Sequence, residues 1–233
     1  MYICGKNVVR EYLNQNHKIK KSFVYNNFTD TEITNMLKNK NINIKYLDKR
    51  DLDRMTEENH QGIILEVDDF EYSNLSEVLE KDSALVVMLD HIQDPHNFGA
   101  IIRTCEAAQV DAIIIPKDRS VSVNGTVIRT SVGASKYVPI IKVTNLMQTM
   151  NDMKKCGYWF FGTDMNGENY SKLDYRGKTC LVIGNEGDGM SKLVRDNCDF
   201  IASIPMKGKI NSLNASVAAG IVIYEAVRRR DEL

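Results

Sequence analysis

Apolar and polar positions alternate along the chain in blocks of helix and strand length. In the first 70 residues, helical spacing of apolar side chains predicts helices over 6–13, 31–39 and, more briefly, 51–55. Short runs rich in β-branched and aromatic residues predict strands over 22–25, 42–47 and 63–67. These elements make a small α/β/α sandwich. From residue 84 the alternation repeats on a larger scale. Strands are predicted over 84–90, 112–115, 137–143, 158–162, 179–183 and 200–204, and helices over 97–109, 146–155, 191–197 and 214–230. The strands are near-continuous apolar runs, the pattern of a parallel sheet covered on both faces. Asn97 stands where an N-cap is expected. The last helix is apolar around most of its circumference through 217–222, which predicts a cover from beyond its own domain. Arg228, Arg229 and Arg230 complement the dipole at its end. No internal repeat is visible.

With 233 residues, 43% of them hydrophobic and 26% charged, the chain has enough apolar side chain for a real core. Disordered and collagen-like structure are excluded. Its apolar runs fall far short of the roughly 20 residues a membrane-spanning helix needs. A basic stretch followed by an apolar one is missing at the start, so no secretory signal is expected. Five cysteines, an odd number without a CxxC pair, suit reduced thiols in a cytoplasm and no zinc site.

The net charge of −1 excludes a globally basic nucleic-acid binder but conceals a division. Residues 1–50 hold ten basic and four acidic side chains, net +6. Residues 51–82 hold two and eleven, net −9, and residues 83–233 come to +2. The pattern predicts a domain over 1–70, a linker over 71–82 and a second domain over 83–233. Lys18, Lys20 and Lys21 are either a solvated face or contacts to phosphate.

Three loops of the second domain carry more polar residues than a connection needs, at strand ends where an open α/β sheet binds its ligand. The first runs from Asp90 through Asn97 and Gly99 to Arg103 and Glu106. Asn97 suits a ribose or phosphate oxygen, or a helix cap. Arg103 suits an anion, or a surface pair with Glu106. His91 and His96 lack the further ligands a metal set requires. The second loop is Gly184-Asn185-Glu186-Gly187-Asp188-Gly189. Its glycines permit close backbone approach to a ligand. It is neither GxGxxG nor a P-loop, and its carboxylates repel pyrophosphate while suiting a cationic or hydroxyl-rich ligand. The third runs from Ile204-Pro205-Met206 to Ser212-Leu213-Asn214-Ala215-Ser216, with more amides and hydroxyls than one cap requires.

In this order the three loops resemble the signature motifs of the SpoU-type (TrmH-type) RNA ribose 2′-O-methyltransferases of the SPOUT superfamily, over residues 84–230. The first domain, with Gly5 and His60-Gln61-Gly62, resembles the ribosomal-protein-like substrate-binding domain of the branch that methylates guanosine riboses of 23S ribosomal RNA. The resemblance implies an α/β fold whose C-terminal parallel-sheet domain holds a deep trefoil knot. It implies S-adenosylmethionine bound around Thr163, Gly184, Ile204 and Leu213, and a homodimer. It also implies catalytic roles for Arg103, Asn97, Glu186, Ser212 and Asn214. Arg103 would stabilise the forming alkoxide, Asn97 and Asn214 would orient the ribose or Arg103, Ser212 would bond Arg103 or the substrate, and Glu186 would hold its loop. RNA contacts fall to Lys18, Lys20 and Lys21, with no metal and no membrane. A nicotinamide-dependent dehydrogenase would explain the α/β alternation but needs GxGxxG after the first strand of the second domain, where Asp94-Pro95-His96-Asn97 stands. A transfer-RNA methyltransferase of the same family and a non-catalytic RNA-binding module of ribosome assembly stay open.

Overall fold

The computed structural model describes residues 1–14, 18–57, 59–209 and 212–231. These fall into two compact units, one of residues 1–71 with 123–129, the other of residues 72–122 with 130–233.

The first unit is built on a four-stranded sheet of β1 (Tyr2–Cys4), β2 (Ile19–Tyr25), β3 (Ile44–Leu47) and β4 (Ile63–Val67), in the order β1-β4-β2-β3. Only β2 and β3 run parallel. Strand alternation sends Ile63, Leu65 and Val67 to one face, where they pack with Val8, Val9 and Leu13 of α1 (Lys6–Asn14) and Ile33 and Leu37 of α2 (Thr31–Asn39). Ile64 points to the other face and meets Leu52 of α3 (Lys49–Met55). This is the predicted sandwich, with β1 added. The His60-Gln61-Gly62 turn locks its entry: Gln61 Oε1 accepts from Lys6 N (2.8 Å), and His60 Nδ1 accepts from Gly62 N (2.9 Å).

The second unit opens with the short helix α4 (Ser76–Leu79). The stretch expected as a linker over 71–82 is therefore part of a packed unit, because Val78 is buried in its core and Tyr158 Oη donates to Val78 O at 2.7 Å. A six-stranded, wholly parallel sheet follows. Its strands are β5 (Ala84–Asp90), β6 (Ala112–Pro116), β7 (Ile140–Val143), β8 (Trp159–Asn169), β9 (Lys178–Gly184) and β10 (Phe200–Ser203), ordered β10-β8-β9-β5-β6-β7. Every residue of β5 and β6 is buried, as the unbroken apolar runs predict. Helix α5 (Pro95–Ala107) follows β5. Two further helices, α7 (Leu146–Lys155) and α8 (Lys192–Asp196), cover one face with α4, over Val86, Met88, Phe160 and Val182. The last helix, α9 (Ala215–Asp231), packs against α5 and β9.

Several elements differ from their predicted form. Helix α5 starts two residues early and is capped by Asp94, whose Oδ1 accepts from His96 N (2.9 Å), with Pro95 at the first helical position. Asn97 is thus inside the helix and free of capping duty. The polar stretch before β7 contains α6 (Gly125–Thr130), capped by Asn124 Oδ1 to Val127 N (2.9 Å), and a 3₁₀ turn at Ala134–Lys136 replaces the start of the predicted strand. Residues 123–129 belong to the first unit: Gly125 lies against the backbone of Tyr2–Cys4, and Ile128 packs on the core of that unit. β8 runs on to Asn169, but its ladder with β10 jumps from Ile201↔Gly162 to Ala202↔Glu168. The intervening residues 163–167 have no partner on β10 and bulge toward the carboxyl edge of the sheet. No described helix is long and apolar enough to cross a membrane.

Candidate active site

The carboxyl ends of β8 and β9 and the chain after β10 enclose a cavity of about 410 Å³. Thr163, Asp164 and Met165 reach it from the bulge of β8. Gly184 to Gly189 form one wall, and Ile204, Met206, Ser212 and Leu213 with Ala215 and Ala218 form another. All four residues expected around the cofactor, Thr163, Gly184, Ile204 and Leu213, thus line one cavity. Ile210 and Asn211, within the third loop, lie outside the described residues.

Local chemistry shapes each wall. Thr163 Oγ1 donates to Val182 O (3.0 Å), fixing the bulge to β9. Asn185 Oδ1 accepts from Gly187 N (2.9 Å) and Asp188 N (2.8 Å), and Asn185 N donates to Gly189 O (3.0 Å), folding the glycine loop back on itself. A Cβ on Gly184 would overlap the backbone of Gly189 and Met190, so only glycine fits there. Beneath the loop, the buried Asp90 carboxylate accepts from Ser191 N (2.6 Å) and His91 Nδ1 (2.5 Å), tying the first loop to the end of the second. Cys198 packs under Gly162, and burial pushes its thiol up to about 12.

The three loops meet through a chain of side-chain hydrogen bonds. Asn97 Nδ2 donates to Glu186 Oε1 (2.5 Å), and Asn214 Nδ2 donates to Asn97 Oδ1 (2.9 Å). Asn214 Oδ1 in turn accepts from Ser216 N (3.0 Å) and Ser216 Oγ (2.6 Å), capping α9. Glu186 carries this chain to the cavity wall. Ser212 lines the cavity but makes no hydrogen bond to Arg103. The Arg103 guanidinium is exposed on α5, has no hydrogen bond or ion pair among the described residues, and does not line the cavity. The expected surface pair with Glu106 is not formed. Lys18 and Lys20 lie 3.8 and 2.9 Å from the Asp68 carboxylate, and Lys21 Nζ stands 5.5 Å from the Phe23 ring centroid.

The sequence alone passes over Asp90, Asp164 and Met165. The last two directly follow Thr163 at a strand's carboxyl end, so position was the available signal. Asp164 pairs with Arg195 (3.0 Å), which leaves Glu186 and Asp188 as the acidic groups turned to the cavity without a cationic partner among the described residues. Apolar walls, backbone groups around Gly184 and acidic residues at one side fit a ligand with an apolar body, hydroxyls and positive charge. That is the chemistry of S-adenosylmethionine, and the volume is in the range of sites for molecules of its size. Among the described residues no group of three or more His, Cys, Asp or Glu is placed to hold a metal ion.

Comparison with known proteins agrees with this geometry. Residues 84–224 match the SpoU rRNA Methylase family, and residues 2–73 match the RNA 2′-O ribose methyltransferase substrate-binding domain. A Staphylococcus epidermidis chain named for the TrmH family of tRNA/rRNA methyltransferases is 41% identical, covering 99% of this chain and 96% of its own. A Bacillus subtilis relative of the same designation is 38% identical over 99% and 96%. The A. aeolicus TrmH/SpoU tRNA modifying enzyme is 37% identical, with a TM-score of 0.59 over 67% of this chain and 80% of its own. An AdoMet-bound rRNA methyltransferase of Sinorhizobium meliloti superposes with a TM-score of 0.70 at 25% identity, over 97% and 86%. The chain belongs to the SpoU/TrmH family of RNA methyltransferases.

Proposed function

We propose that the protein methylates a ribose 2′-hydroxyl of RNA, at a guanosine of large-subunit ribosomal RNA. The observation that carries this reading is the Glu186–Asn97–Asn214 chain, which joins all three loops at one cavity wall. A substrate-binding domain matching residues 2–73 supports RNA as the acceptor. S-Adenosylmethionine would be held by Thr163, Gly184, Ile204 and Leu213, and when bound it supplies a methyl group on a positively charged sulfur. The chain's own residues do the rest. Transfer needs in-line alignment, so positioning supplies much of the rate. Asn97 and Asn214 hold the acceptor ribose or the Arg103 side chain in line. The ribose hydroxyl is a weak nucleophile that sheds its proton as it attacks. Arg103, whose guanidinium has no partner among the described residues, stabilises the forming alkoxide and stays protonated throughout. Ser212 contacts the substrate from the cavity rim, and Glu186 keeps the glycine loop in place.

The first domain, over residues 1–70, supplies RNA affinity through Lys18, Lys20 and Lys21. Of these, Lys21 has no carboxylate partner among the described residues. The enzyme works in the cytoplasm as a homodimer through α9, where Val217 (49% exposed) and Tyr224 (51%) leave apolar surface in the open. The same reading includes a deep trefoil knot in the second unit. A transfer-RNA acceptor is the second reading, favoured by the A. aeolicus relative. Mapping 2′-O-methyl sites in ribosomal and transfer RNA from cells lacking the protein distinguishes the two. Arg103→Ala should abolish methyl transfer and leave S-adenosylmethionine affinity within a few-fold. Near-normal turnover would overturn the role of Arg103.

A further inference from the structure

Many cations around the parallel sheet are engaged: Lys81 with Asp111, Lys154 with Asp199, Arg176 with Asp174, Arg195 with Asp164, and Arg230 with the carbonyls of Tyr175 and Gly177. Lys117 and Arg119, just past the carboxyl end of β6, and Lys142 in β7 have no ion pair among the described residues. Lys142 is partly buried, yet its partners are neutral. Its Nζ donates to Ser122 Oγ (2.7 Å) and lies 4.9 Å from the Tyr72 ring centroid. An ammonium drawn partly from water beside neutral groups keeps an uncompensated charge, and it has protons to spare for an anion. The Ser122 hydroxyl accepts from Lys142, so its own proton is also free to donate.

The turn that carries Lys117 and Arg119 is held firmly. Ser120 Oγ and Val121 N donate to Ile92 O at 3.0 and 2.8 Å, and Lys117 N donates to Val143 O at 2.8 Å. Arg119 sits in the left-handed region at φ +53°, where residues with a Cβ rarely rest. Ile92 belongs to the loop that leads to Asn97, so the cations are fixed relative to the first motif. In sheet order β6 and β7 lie two and three strands from β9, which ends at the cavity. At about 4.8 Å per strand, the offset is roughly 10–14 Å. At ~3.4 Å per nucleotide, that is the reach of three or four stacked nucleotides.

We propose that Lys117, Arg119 and Lys142, with the Ser122 hydroxyl, form a backbone-phosphate site for the RNA strand that flanks the target ribose. The proposal rests on the methyltransferase reading above and adds where the strand runs, from the cavity across β5 to the ends of β6 and β7. The residues make no base-reading geometry, so the site fixes strand position and leaves sequence choice to other parts of the molecule.

The test uses the full chain and ribosomal RNA from cells lacking the protein. In the double variant Lys117→Gln/Arg119→Asn both side chains are exposed, and asparagine tolerates the left-handed backbone. RNA affinity should fall about tenfold, and the slope of log affinity against log salt should flatten by about 0.7–0.9 for each lost contact. KM for RNA should rise while the affinity for S-adenosylmethionine stays at the wild-type value. Arg119→Asn alone, with a smaller perturbation, should give about half of the slope change. Unchanged affinity and slope in a double variant that still binds S-adenosylmethionine would overturn the site. Failure of the wild type to methylate any ribose in that RNA would strike the proposed function instead, and the binding comparison would still decide the site.

Discussion

Asn97 serves two neighbours at once, giving its amide protons to Glu186 and its carbonyl to Asn214. Replacing it with aspartate sets a carboxylate against Glu186. We expect Asn97→Asp to reduce methyl transfer at least tenfold and to destabilise the fold by about 1–3 kcal/mol, the range for a lost hydrogen bond to a charged group. Adding Glu186→Gln restores a donor opposite the new carboxylate, so the double variant should recover part of both losses. A double-mutant cycle on thermal unfolding and turnover measures the coupling, and strictly additive losses would show that the two side chains act independently. The buried thiols give a second expectation. Cys198 is held neutral up to about 12 by burial, against an ordinary thiol value of 9.0. A thiol whose folded value is raised favours the fold fully below its unfolded value and loses that contribution as pH climbs toward the folded value. Stability should therefore decline between about pH 9 and pH 12, and alkylation at pH 8 should label the half-buried Cys198 more slowly in the native protein than in the unfolded chain. Thermal unfolding across that range, with mass spectrometry of the labelled thiols, checks both.

At the scale of elements, the buried strands were legible because a strand covered on both faces has no polar register to confuse its reading. The short pieces were not. Helix α6 has six residues in a Ser/Asn/Gly stretch and depends on tertiary packing and the Asn124 cap. Strand β1 has three residues. The start of α5 was legible in principle: Asp94-Pro95 is an N-cap followed by the residue that best opens a helix, and reading the cap at Asn97 instead placed the start two residues late. The bulge of β8 left no trace in periodicity, so Asp164 and Met165, which line the cavity beside Thr163, were missed. Two predictions belong here. Gly184→Ala forces a Cβ into the backbone of the next turn, so S-adenosylmethionine binding should be lost together with several degrees of thermal stability, measured by calorimetry with and without cofactor. If the proposed α9 dimer forms, charge on the open face of that helix, as in Val217→Asp/Tyr224→Asp, should yield a monomer by light scattering and the wild type a dimer. Equal masses would refute the α9 interface.

At the scale of the whole molecule, charge counting along the sequence pointed to a basic first domain, and the fold refines which of its cations are available. Asp68 neutralises much of what Lys18 and Lys20 offer, and it comes from the acidic segment that the tally had set apart. Lys21→Glu alone should therefore account for most of the RNA affinity lost in the triple Lys18/Lys20/Lys21→Glu variant, as titration at two salt concentrations would show. Equal contributions from all three would mean that RNA displaces Asp68.

The return of residues 123–129 to the first unit sets an order of events during synthesis. When residue 71 leaves the ribosome, the first domain has its sheet and three helices but lacks the segment that brings Gly125 onto Tyr2–Cys4 and Ile128 onto its core. That segment emerges only after β5, α5 and β6 have been made. At roughly 5–20 residues per second, the domain waits several seconds as an unfinished nascent fold. The first unit is thus completed only after the first motif has been translated, and a fragment ending before residue 123 should be less stable than the complete unit.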